Sequence, residues 1–147
     1  MDLEAASLYR RTQAERDDQF LSWQRTDRAF FASGACHILA WTCRELYPAQ
    51  SIGIAAVRAA DEDQVFHTFA TWNEWAFDHC GWHPADDLVN VNQDFVGCPL
   101  VRVEIGADLA EFCRQHYHRM PHHYYDDPRP RARDYVRRFD PPWSWRA

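Results

Sequence analysis

Between residues 36 and 46 the chain reads CHILAWTCREL, apolar at almost every position through Trp41, directly after a Ser-Gly-Ala breaker at 33–35. An apolar run of that length predicts a central, buried helix, closed by Tyr47-Pro48. Upstream, residues 3–24 scatter Leu3, Leu8, Phe20, Leu21 and Trp23 among many charges, which predicts one amphipathic helix with a weakly apolar middle. Downstream the period shortens. SIGIAAVRA at 51–59 reads as a strand, and the runs QVFHTFATW and WAFDHCGW read as β-rich segments joined at Asn73-Glu74. Residues 83–99 read as loop with at most a short helical turn, LVRVEI at 100–105 as a strand, and 108–118 as the last clear helix. Helices followed by a mostly antiparallel sheet predict an α+β fold, with N-terminal helices packed on a small sheet.

The hairpin carries a geometric consequence. With Asn73-Glu74 at its centre, Trp72 faces Trp75, Phe69 faces Asp78 and His67 faces Cys80. His67 and Asp78 then become diagonal neighbours on one face, within roughly 5–8 Å at the backbone. A carboxylate at that distance holds an imidazole in one tautomer and stabilises its protonated form. Cys36, at the start of a helix, sits where unpaired amides and the helix dipole favour a thiolate. Together Cys36, His67 and Asp78 supply a nucleophile, a base and an orienting group, provided the apolar helix packs across the sheet. Amides near Ala35 and Cys36 are placed to hold an oxyanion.

The stretches SGACHILAWTCREL and VFHTFATWNEWAFDHCGW resemble the papain-like cysteine hydrolase core, in the form shared by transglutaminase-like and NlpC/P60-type domains. The resemblance covers about residues 30–83. It implies a papain-like or transglutaminase-like core with Cys36 as nucleophile, His67 as base and Asp78 as orienting residue. It further implies cysteine-dependent hydrolase or acyltransferase activity (peptidase, amidase, deamidase or transglutaminase-like) on a protein or peptide substrate, with no cofactor. Two other readings of the same residues stay open. One is a non-catalytic interaction module that uses its aromatic hairpin to bind a partner protein, Cys36 being a small core residue. The other is a metal site built from His67, Asp78 and Cys80, three ligand types that zinc accepts.

Composition sets the frame. The 147 residues, 46% hydrophobic and 15% aromatic, suffice for a real core. No apolar run has the length of a membrane span, and the charged start is unlike a signal peptide. Five cysteines at irregular spacing in a chain of this size predict free thiols and a reducing, cytoplasmic setting. A net charge of −6 argues against nucleic-acid binding. The charge is uneven, because residues 128–147 hold six Arg against two Asp, about +4, which leaves about −10 for the rest. That division predicts a single domain over 1–127 and an Arg-, Pro- and Trp-rich arm over 128–147, docked on the acidic body or on a second subunit.

Overall fold

The computed structural model describes residues 2–145. The segment expected as one long N-terminal helix is broken by its own capping residues. Thr12 makes a reciprocal capping box with Glu15 at the start of α1 (Gln13–Asp17), and Asp18 accepts from Phe20 and Leu21 amides to start α2 (Gln19–Trp23). Each cap satisfies the orphan amides of a new helix, so each marks a fresh start. Thr26 caps α3 (Asp27–Ala32), and α4 (Cys36–Leu46) follows as expected, with its first eight residues buried.

Five strands come next in a meander interrupted once: β1 (Gly53–Ala59), β2 (His67–Trp72), β3 (Trp75–Asp78), β4 (Gly81–Pro84) and, after α5 (Ala85–Val96), β5 (Leu100–Ile105). Among the described residues they form one antiparallel sheet, ordered β4-β3-β2-β1-β5. The chain is therefore α+β. The β2–β3 register is the one the hairpin predicts, Trp72 opposite Trp75 and Ala70 opposite Phe77. Two departures matter. The run 75–82 is not one strand, because His79-Cys80 turns the chain back and pairs Asp78 with Gly81. The stretch expected as loop is the twelve-residue α5, ended by Gly97 at φ 74°. Its start carries no side-chain cap, only Pro84.

Both faces of the sheet are covered. Ala70 and Phe77 pack with Ile38, Leu39 and Trp41 of α4, whereas their chain neighbours Phe69 and Ala76 pack with Leu88 of α5. After β5 the chain forms α6 (Leu109–His116) and α7 (Arg129–Val136), whose Ala132, Tyr135 and Val136 join the α4 side of the core. Arg131 ties α7 to α3 through a 2.6 Å ion pair with Asp27, and its guanidinium lies 4.2 Å from the Phe30 ring centre. Trp143 packs edge-on against Tyr47, Trp72 and Trp82. Among the described residues no helix is long and apolar enough to cross a membrane.

Gly81 illustrates how tightly the turn beside Asp78 is built. Its φ is +87°, and an added Cβ would stand 2.5 Å from Phe139 Cδ1. Gly81→Ala therefore meets both backbone strain and a clash with a ring in the core. It should lower the unfolding free energy by about 2–4 kcal/mol. Urea denaturation checks this, and a loss under about 1 kcal/mol would show that the turn relaxes freely.

Candidate functional site

The Ser33-Gly34-Ala35 breaker aims α4. Gly34 takes φ +110°, its carbonyl accepts from the Tyr124 hydroxyl, and the Ser33 carbonyl accepts from Arg25 Nη1 at 3.1 Å. Ala35 is the N-cap and offers no side-chain acceptor, so no cap competes for the first-turn amides beside Cys36. Cys36 is 5% exposed and forms part of the wall of a cavity of about 430 Å³.

His67 opens β2 and Asp78 closes β3, so both stand at the same end of the sheet. His67 Nε2 donates to Asp78 Oδ2 at 2.9 Å, with both side chains essentially inaccessible to solvent. The other carboxylate oxygen, Oδ1, accepts from the Cys80 amide at 2.8 Å. A carboxylate only accepts, which fixes the proton on Nε2 and leaves Nδ1 of His67 to face elsewhere. That Nδ1 is buried without a hydrogen-bond partner among the described residues, and the ring is close enough to the Cys36 thiol to lower its pKa. The structure thus brings Cys36, His67 and Asp78 together. It does so differently from the simplest expectation, because α4 lies on the Ala70–Phe77 face of the sheet, while His67 is two residues from Phe69 on the alternate one. The meeting is made at the strand and helix ends rather than across the sheet surface.

The electrostatics follow from these contacts. Burial opposes ionisation of Cys36, but the neighbouring His37 and His67 imidazoles outweigh it, and the thiol is held well below its usual pKa of 9.0. Burial also opposes protonation of His67, yet Asp78 and Cys36 raise it to about 9. Asp78 is opposed by burial as well and is drawn down to about 2 by His79 and His67. These directions favour a thiolate beside an imidazolium backed by a carboxylate, a charge arrangement that suits a nucleophile.

His37 is a participant that the sequence reasoning did not assign. It is buried, its Nε2 donates to the Arg119 carbonyl at 2.7 Å, and it interacts with Cys36 and Cys113, which lift it to about 9 against the penalty of burial. Consecutive helical residues do not face one another, so spacing alone gives no reason to pair His37 with Cys36. The partnership depends on the segment around Arg119, far along the chain.

The set expected as a metal alternative is not the one assembled. Cys80 Sγ accepts from the Glu4 amide at 3.2 Å and donates to its carbonyl, and burial with nearby Asp78 pushes its thiol up to about 12. The ligand atoms that converge are those of His67, Asp78 and His79, within 4.8 Å of one another. Cys80 lost that place because the turn redirects it, and its neighbour His79 turns in instead, with Nδ1 3.4 Å from Asp78 Oδ2. Burial keeps His79 from protonating readily. No protein-family model, curated protein or solved structure matches this chain.

Proposed function

We propose that this chain is a cysteine-dependent hydrolase or acyltransferase with a papain-like or transglutaminase-like core, acting on a protein or peptide carbonyl. The observation that supports this most directly is the buried pair in which Asp78 engages Nε2 of His67 and leaves Nδ1 without a partner, close enough to the Cys36 thiol to depress its pKa, beside a cavity walled in part by that cysteine. In this reading Cys36 Sγ attacks the substrate carbonyl carbon, and the C=O electron pair moves to oxygen, facing the first-turn amides of α4. The tetrahedral adduct collapses as the C–N bond breaks, and His67 gives its proton to the departing nitrogen. Neutral His67 then takes a proton from water, or from an amine acceptor, which attacks the thioester carbonyl. The second collapse releases product, restores the thiolate and leaves His67 protonated. Asp78 keeps the ring in the tautomer that each transfer needs.

A metal reading draws on the convergence of His67, Asp78 and His79. It requires an ion to replace the 2.9 Å hydrogen bond already joining His67 to Asp78. The cysteine reading uses that bond as it stands.

Alkylation tests the proposal. At about pH 6, iodoacetamide should modify Cys36 before the exposed Cys98, although Cys36 is buried. Between about pH 8.5 and pH 6 an ordinary thiol loses about two orders of magnitude of thiolate. Cys36 should slow by less than about threefold, and His67→Ala should abolish its advantage. Labelling of Cys36 only near pH 9, or only after unfolding, would reduce the chain to an interaction module with a core cysteine. Loss of the acidic reactivity on adding zinc would support the metal reading.

A further inference from the structure

The cavity beside Cys36 is walled by basic side chains on an acidic protein. Arg11, His37, His118 and Arg119 line it, with Glu62 as its acidic member. A second cavity of about 310 Å³ shares Arg11, Ser33 and Phe66 with the first and adds Arg10 and Arg16. Four guanidiniums therefore border these two neighbouring cavities on a chain whose net charge is −6. The position of Arg11 is the most specific. Its guanidinium lies over Gly34, so that a Cβ there would stand 3.2 Å from Arg11 Cζ. Gly34 is two residues before Cys36, so the charge is carried to the start of α4. Arg11 Nη1 is buried and has no hydrogen-bond partner among the described residues. The neighbouring carboxylate, Glu15, is instead 3.4 Å from Arg25. Arg11 also lines the Cys36 cavity, where an anion would meet its guanidinium beside the start of α4.

We infer that the Cys36 cavity selects an acyl substrate carrying a carboxylate next to the reacting carbonyl, and that Arg11 is the residue that anchors it. This rests on Cys36 being the nucleophile. Arg119 is a weaker candidate, since its Nη2 already donates to the Arg16 carbonyl at 3.2 Å and its guanidinium faces the Gln19 amide. A guanidinium offers two parallel donors that match a carboxylate, and fixing that group places the adjoining carbonyl over the thiolate rather than merely raising local concentration.

Two alkylating probes of nearly equal size test this, iodoacetate with a carboxylate beside the reacting carbon and iodoacetamide with a neutral amide. The rate ratio of iodoacetate to iodoacetamide at Cys36, divided by the same ratio at exposed Cys98, should exceed about ten. Raising salt from about 0.05 M to about 1 M should depress the iodoacetate rate at Cys36 selectively, a measurement that needs no variant. Arg11→Gln should bring the normalised ratio down about tenfold, and Arg11→Lys should restore part of it. A normalised ratio near one, insensitive to salt, in a protein whose Cys36 still reacts at about pH 6 would overturn the anionic selectivity and leave the nucleophile standing. Failure of Cys36 to react with either probe in the folded protein would overturn both.

Discussion

Asp78→Asn should slow alkylation of Cys36 at about pH 6 by roughly a hundredfold, with the reactivity moving to alkaline pH. Asparagine keeps one oxygen where the carboxylate has two, so it cannot accept from both His67 Nε2 and the Cys80 amide as Asp78 does. It also removes the negative charge that helps raise His67 to about 9, and with it the support for the imidazolium that holds the thiolate. Asp78→Ala goes further and leaves the buried His67 donor with nothing to accept its proton. It should cost about 3–5 kcal/mol of stability, the range for removing one partner of a buried ion pair. The pH dependence has a definite sign. Asp78 is depressed in the folded chain from 3.8 to about 2, so its contribution is present above about pH 4 and is lost as the pH falls through 2. Acid titration of wild type should show that loss, about 2 kcal/mol over the window, and Asp78→Asn should remove it. Retention of the wild-type rate at pH 6 in Asp78→Asn would separate Asp78 from the chemistry and leave it a purely structural partner.

The legibility of this site has a clear physical boundary. The β2–β3 register was readable because a short turn at Asn73-Glu74 fixes which residues oppose one another, and the His67–Asp78 bond follows from that local geometry. The start of α4 at Cys36 was readable for the same reason, a breaker followed by an unbroken apolar run. What was hidden depends on partners distant in sequence. His37 owes its raised pKa to contacts that include Cys113 and the Arg119 carbonyl, and Arg11 reaches the site only because the N-terminal segment folds back over Gly34. The turn at His79-Cys80 was missed because WAFDHCGW alternates like a single strand, and nothing local to it announces that Phe139 will pack where a Gly81 side chain would stand. Helix α5 is hidden in the sequence because its many polar residues resemble a loop. Its buried Asn92 accepts from the Ala6 amide at 3.0 Å and donates to the Leu88 carbonyl, so a loop-forming residue is used as a core bridge.

The same dependence on distant chain makes Tyr135 a residue whose loss should damage the fold severely. It is 2% exposed and packs against Phe31, tilted, and Phe139, edge-on, with ring centres 5.2 and 5.3 Å away. Its hydroxyl donates to the His79 carbonyl, which also accepts from Arg28 Nη1 at 3.3 Å. Tyr135→Ala should cost about 3–5 kcal/mol through the cavity it leaves between α7, α3 and the β3–β4 turn. Tyr135→Phe keeps the ring, and because Arg28 still serves the carbonyl it should cost only about 1 kcal/mol. The two variants separate packing from hydrogen bonding, and urea midpoints at constant slope measure both. A predominantly polar role would reverse the order of magnitude, with Phe nearly as damaging as Ala. The site should register the difference as well. His79 is the residue after Asp78, so loosening its carbonyl frees the turn that presents the carboxylate to His67. At temperatures where Tyr135→Ala is still folded, Cys36 should lose part of its reactivity at acidic pH while Tyr135→Phe retains it, which would connect the C-terminal helix to the nucleophile through the β3–β4 turn.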